Sequence, residues 1–286
     1  MIYISTSCVR NETIPESVEE LALAGFKNLE LSGGTKYYNH ETIITDLLVL
    51  KKKYNLNYLL HNYFPPPKKD FVLNLASLNQ EINAMSVSHV KDSIDMSVAL
   101  GAKEFGFHAG FFLDIGTSEI GKKITTEAYK NKDEAEELFY ENYLKIKEYS
   151  DEKGVKIFVE NNVYSSSNFE KYGNENPLML MTEVDYNKMN EQIDFNLLLD
   201  VAHLKVSCNT LNKDFGKELT NLSRNSDYIH ISDNNSLEDS NKYVNKESVL
   251  FGQLRGIELR NKVITLEIYE PIEKIKESYE LISTLI

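Results

Sequence analysis

Apolar residues in this chain gather in short unbroken runs, and several of the runs close on a charged or imidazole side chain. Lys156-Ile-Phe-Val stops at Glu160, Phe195-Asn-Leu-Leu-Leu at Asp200, Asp227-Tyr-Ile at His230 and Val263-Ile-Thr-Leu at Glu267. A strand with one wet face alternates apolar and polar residues. Runs without alternation fit strands buried on both faces, whose last residue emerges at a rim. Such segments recur at 2–5, 28–31, 57–61, 104–108, 156–160, 195–200, 228–232 and 263–268.

Helical patterns fall between them. The stretch 15–23 opens with Pro15 in a first turn, sets Val18, Leu21 and Ala22 on one face and stops at Gly25. Stretches 41–54, 79–100, 134–153 and 273–286 carry apolar residues at helical spacing, and two of them end at Gly101 and Gly154. Between strands five and eight the helical pattern is weaker. Strand alternating with helix eight times predicts the α/β class with a single closed (β/α)8 TIM barrel, one domain over residues 1–286. An open doubly wound sheet would need a glycine-rich phosphate turn after its first strand. Ser5-Thr-Ser-Cys-Val-Arg10 contains no glycine. The longest irregular stretches, 109–133, 161–182 and 233–252, all follow strands, where a barrel builds its active face.

Composition narrows the function classes. The 42% of apolar residues supply a large core, yet no run is long enough to cross a membrane. Cys8 and Cys208 suggest no disulfide framework and read as small buried hydrophobes, and the N-terminus shows no basic leader. Both features point to the cytoplasm. Against 44 acidic residues stand 31 lysines and arginines, a net charge of −13 that argues against nucleic acid and for a small substrate. Oligomeric state is not readable from the sequence.

The candidate chemistry lies at the strand ends. Three carboxylates and an imidazole converging on one rim repel one another unless a positive charge holds them, and a divalent metal is the economical answer. Of six histidines, His61, His108, His203 and His230 stand at or just past a strand end, while His40 and His89 lie on helical segments without an assigned role. Asp200-Val-Ala-His203 predicts a loop turning back over the rim. Asp233, three residues after His230, is either an acceptor for a ligand histidine or a helix cap. Tyr63, Phe64, Phe111, Phe112 and Tyr164 either cover a substrate or pin their loops to the barrel.

Five short motifs then carry a resemblance: Leu59-Leu-His61, Phe107-His108-Ala-Gly110, Val159-Glu160-Asn161, Leu199-Asp200-Val-Ala-His203 and Ile229-His230-Ile-Ser-Asp233, with Leu266-Glu267 closing the series. In this order the chain resembles the xylose isomerase-like barrel superfamily, which includes sugar isomerases, sugar epimerases and endonuclease IV. The resemblance implies that Glu160, Asp200, His230 and Glu267 ligate one divalent metal (Mn, Co, Zn or Mg). Glu160 and Glu267 would act as the acid–base pair of a sugar or sugar-phosphate isomerase or epimerase, with Asn161, Asp233, Lys205 and Arg255 as substrate contacts. The alternative it implies is an endonuclease IV-like phosphoester hydrolase, in which His61, His108 and His203 serve further metals. Against this, residues 234–252 contain no histidine, so the Asp-x-His pair of a trinuclear site is missing. Ser236 stands near the place where the epimerases carry an arginine.

Overall fold

The computed structural model describes residues 1–33 and 35–286. Its strands are β1 (Ile2–Ser5), β2 (Asn28–Leu31), β3 (Asn57–His61), β4 (Glu104–His108), β5 (Lys156–Glu160), β6 (Leu197–Asp200), β7 (Tyr228–Ile231) and β8 (Val263–Leu266). All neighbours pair in parallel, and β8 returns to β1 through Ile2↔Ile264 and Ile4↔Leu266, closing the expected barrel. Its helices are α1 (Ile14–Leu23), α2 (His40–Tyr54), α3 (Gln80–Leu100), α4 (Lys132–Lys153), α5 (Ser166–Tyr172), α6 (Glu183–Asn190), α7 (Val201–Thr210), α8 (Phe215–Ser223), α9 (Val249–Leu254) and α10 (Ile272–Ser283). Among the described residues no helix is long and apolar enough to cross a membrane.

Local chemistry sets the helix ends. Thr13 and Glu16 form a capping box on either side of Pro15 at the start of α1. Gly101 and Gly154, at φ +68, end α3 and α4 in the left-handed conformation that suits glycine. Two expectations need adjusting. Strand β6 begins at Leu197 and not at Phe195, although the Asn196 carbonyl still accepts the Val159 N–H at 2.9 Å. The stretch 161–182 is not wholly irregular, since Ser165 caps the short helix α5 within it.

The strands bury both faces, as the apolar runs require. Tyr3, Leu59, Phe158, Leu198 and Tyr228 fill the barrel interior as one cluster, while their neighbours Ile4, Leu60, Val159, Leu199 and Ile229 pack under the helices in another. With a side-chain period of two, the next inward layer comprises His61, Glu160, Asp200 and His230. A third apolar cluster of Leu113, Ile124, Tyr164, Leu178 and Met181 anchors the long loops after β4 and β5. Tyr164 is fully buried there and donates to the Gly173 carbonyl, and Phe64 is also fully buried, so both pin loops.

Candidate metal centre at the strand ends

His61, His108, Glu160 and Asp200 are the last residues of their strands, and His230 is the last but one of β7. Glu267 lies one residue beyond β8, held in place by its N–H donating to the Ile231 carbonyl at 3.2 Å. Strand register sets partners side by side, with His108 opposite Glu160 and Asp200 opposite His230. Gly106 on β4 leaves the space that the His61 ring occupies. A Cβ there would lie 2.5 Å from Leu198 Cδ1 and 3.1 Å from His61 Cδ2.

Glu160 is the centre of the cluster. Its Oε2 lies 2.8 Å from His61 Nε2 and 3.4 Å from His108 Nε2. Its Oε1 lies 3.5 Å from His230 Nδ1 and 3.8 Å from His203 Nδ1. On the other side, His230 Nδ1 is 3.7 Å from Glu267 Oε2, and Asp200 offers an oxygen to the same group. The remaining oxygen of Glu267 accepts the hydroxyls of Ser7 at 3.0 Å and Tyr269 at 2.6 Å. Glu160, Asp200 and His230 are buried, whereas the side chains of Glu267 and His108 are 15% and 26% exposed and mark the mouth.

The expected loop between Asp200 and His203 is not formed. Asp200 caps α7, accepting the His203 N–H at 2.7 Å, so strand passes directly into helix and His203 rides on its first turn. Asn161 spends its side chain on Asp200, donating to its carbonyl at 3.0 Å and accepting its N–H at 2.7 Å. The Asn161 carbonyl faces His203 Nδ1 at 2.9 Å. Lys205 is bound to Asp233 at 2.5 Å and to the Asn234 carbonyl at 2.6 Å. Asp233 therefore neither holds a ligand histidine nor caps a helix, and the Lys205 ammonium is already matched by charge. Arg255 follows the last turn of α9 and is exposed there.

Two acidic residues join the site without having stood out in the sequence. Glu30, buried in β2, accepts from His230 Nε2 at 2.9 Å. Asp239, in the loop after β7, places Oδ2 at 3.3 Å from His203 Nε2. Glu30 had a legible signal, a carboxylate at an inward position of the apolar run Asn28-Leu-Glu-Leu31. Asp239 had none, being one of several polar residues in a long loop.

Electrostatics shows what the cluster lacks. Burial pushes the Glu160 carboxyl up, but His108 and His61 outweigh it and hold the group well below the usual range. Burial holds His108 down to about 4. His230 and His203 are raised well above the ordinary imidazole value because the carboxylates around them, Glu30 for one and Asp200 for the other, overcome the cost of burial. Burial brings Asp200 up to about 7. The raised Asp200, His203 and His230 report a demand for positive charge at the rim.

A divalent ion fits that demand. His230 Nδ1 is buried, has no hydrogen-bond partner, and faces carboxylate oxygens. The donor atoms of Asp200, His230 and Glu267 lie within 4.8 Å of one another. Ligands about 2.1 Å from a tetrahedral ion stand roughly 3.4 Å apart, so the 3.5 Å and 3.7 Å separations close on such an ion with small side-chain shifts. Two further donor groups, His61–Glu160–His230 and His108–Glu160–His203, share the Glu160 carboxylate.

Comparison with known proteins agrees with this fold. The chain is 23% identical over 241 residues to the uncharacterized protein MJ1311 of Methanocaldococcus jannaschii, covering 84% of this chain and 73% of the relative. Among solved structures it superposes on a D-tagatose 3-epimerase-like protein with a TM-score of 0.72 at 19% identity, covering 99% of this chain and 96% of the other. It superposes on D-allulose 3-epimerase from Methylomonas sp. in complex with D-allulose with a TM-score of 0.70 at 14% identity, covering 100% and 96%. A Thermus thermophilus protein soaked with ZnCl2 gives 0.60 at 16% identity over 99% and 97%. At these identities the structures share the fold. Residues 18–285 match the family model described as the xylose isomerase-like TIM barrel, and the chain belongs to that family.

Proposed function

We propose that this protein is a metal-dependent isomerase or epimerase of a small sugar or sugar phosphate, with Glu160 and Glu267 as its acid–base pair. The observation that carries the reading is the unpartnered Nδ1 of His230, set between Glu160 Oε1 and Glu267 Oε2. Glu160, Asp200, His230 and Glu267 would hold the ion, which when bound supplies positive charge against the anion that develops on adjacent substrate oxygens. One glutamate removes the hydrogen from the carbon beside a carbonyl, and the other returns a proton on the same or the opposite face. Ser7 and Tyr269 fix one oxygen of Glu267, so its free oxygen keeps a defined direction toward the site. The partly exposed His108 side chain at the mouth would be a further contact for substrate. The epimerase names of the similar structures add support by analogy of fold.

The test is solvent exchange in deuterium oxide across a panel of ketoses and their phosphates. Deuterium entering the carbon beside the carbonyl, lost in Glu160→Gln and Glu267→Gln with ion content measured alongside, is the expected result. A metal-loaded protein that exchanges no hydrogen on any of them rejects the reading.

A two-metal phosphoester hydrolase is the second reading. One observation favours it: both oxygens of Glu160 are flanked by imidazoles, His61 and His108 on Oε2 and His230 and His203 on Oε1, as a bridging carboxylate would be. Elemental analysis of the untagged protein separates the two. One ion per chain favours proton transfer, and two or more favour hydrolysis.

A further inference from the structure

Beneath the rim lies a carboxylate that the proposed reaction leaves unused. Glu30 is fully buried on β2, and its Oε2 accepts from His230 Nε2 at 2.9 Å, from Thr265 Oγ1 at 3.0 Å and from the Tyr228 hydroxyl. Its Oε1 is buried without a partner. Among the described residues, His230 is the one basic side chain recorded within ion-pairing distance of it. Burying a carboxylate with one oxygen unpartnered is costly, and a leucine would fill the space at lower cost. The arrangement makes sense if the carboxylate acts through its partner. With Nε2 donating to Glu30, a neutral His230 presents the lone pair of Nδ1, the atom that faces Glu160 and Glu267 without a hydrogen bond. The His61 ring at 4.8 Å and the Tyr228 ring at 5.3 Å confine the imidazole from two sides.

We propose that Glu30 is a positioning residue for the metal centre: it holds His230 in the tautomer that offers Nδ1 to the ion and makes that nitrogen a stronger donor. The inference rests on reading the rim as a metal centre. A carboxylate behind a ligand histidine both orients the ring and strengthens the bond to the metal, and its removal weakens affinity about 10- to 100-fold.

The experiment measures Zn2+ affinity of the full chain by chelator competition, in wild type, Glu30→Gln and Tyr228→Phe. It also assigns the imidazole nitrogens of the Zn-loaded wild type by 15N NMR. Glu30→Gln is expected to bind about 10- to 100-fold more weakly, with His230 coordinated through Nδ1 in the wild type and carrying a protected Nε2 proton. Tyr228→Phe strips a different donor from the same oxygen and keeps the His230 bond, so it is expected to stay within about threefold of wild type. Equal affinity in wild type and Glu30→Gln, equal weakening in both variants, or coordination through Nε2 overturns the inference and leaves the metal centre standing. A wild type that binds no metal removes the metal centre and the inference with it. If Glu30→Gln does not fold, the nitrogen assignment in the wild type decides.

Discussion

At the scale of single residues, Asp200 combines two roles that mutation can separate. Its carboxylate caps α7 and also faces His230 and Glu267. Asp200→Asn keeps an oxygen for the cap and removes the charge, whereas Asp200→Ala loses both. The alanine variant is expected to be about 1 kcal/mol less stable than the asparagine variant in urea titrations, with metal lost from each. In the absence of metal the asparagine variant should also melt higher than wild type at pH 8. Burial raises the Asp200 carboxyl to about 7, so its charge opposes folding increasingly as pH rises from about 4 toward 7. A metal-free wild type that melts above Asp200→Asn at pH 8 contradicts this. His89 supplies a pH test away from the rim. Its ring packs against Phe71 and Tyr63, its Nε2 has no partner, and burial, with nearby His40, holds it down to about 4. The folded chain keeps His89 neutral while the unfolded chain protonates it below about 6.5. Stability is therefore lost as pH falls from 6.5 toward 4, by up to about 3 kcal/mol. His108 acts in the same direction, so His89→Leu is expected to flatten the fall in melting temperature between pH 7 and 5 without abolishing it. An unchanged slope would show that His89 carries none of it.

At the scale of elements, the site follows from strand parity. Once Leu59, Phe158, Leu198 and Tyr228 point into the barrel, the residues two positions later, His61, Glu160, Asp200 and His230, must point the same way. The runs that close on charge make this legible before any coordinates. Glu30 obeys the same parity, yet it precedes the end of its run, so the pattern of terminal charges does not include it. The direct passage from β6 into α7 was not legible, because an aspartate before a short apolar stretch fits a loop as well as a cap. Gly106 is where one strand depends most on its neighbours. Gly106→Ala would set a methyl against Leu198 and the His61 ring, and a cost of about 1–3 kcal/mol is expected. Loss of any ion bound through His61, read by elemental analysis, should accompany it. A variant with unchanged stability and ion content would mean that β4 yields more readily than close packing allows.

At the scale of the whole molecule, a closed barrel brings residues from 61 to 267 around one carboxylate, and an ion there would bind the folded chain and not the unfolded one. Metal at about a thousand times its dissociation constant should add about 4 kcal/mol of stability, or roughly 8–16 °C in melting temperature, reversed by a chelator. A melting temperature insensitive to Mn2+, Co2+, Zn2+ and Mg2+ would count against the metal centre. The sequence by itself determined the barrel, the eight strands and the ends that carry Glu160, Asp200, His230 and Glu267, because burial on both faces and period-two alternation are local constraints written into each run. Only the tertiary structure decided the partners. Lys205 is matched by Asp233, Asp239 meets His203 and Glu30 stands behind His230. Those pairings join residues distant in the chain, and their charges are balanced only when the closed barrel removes water from between them.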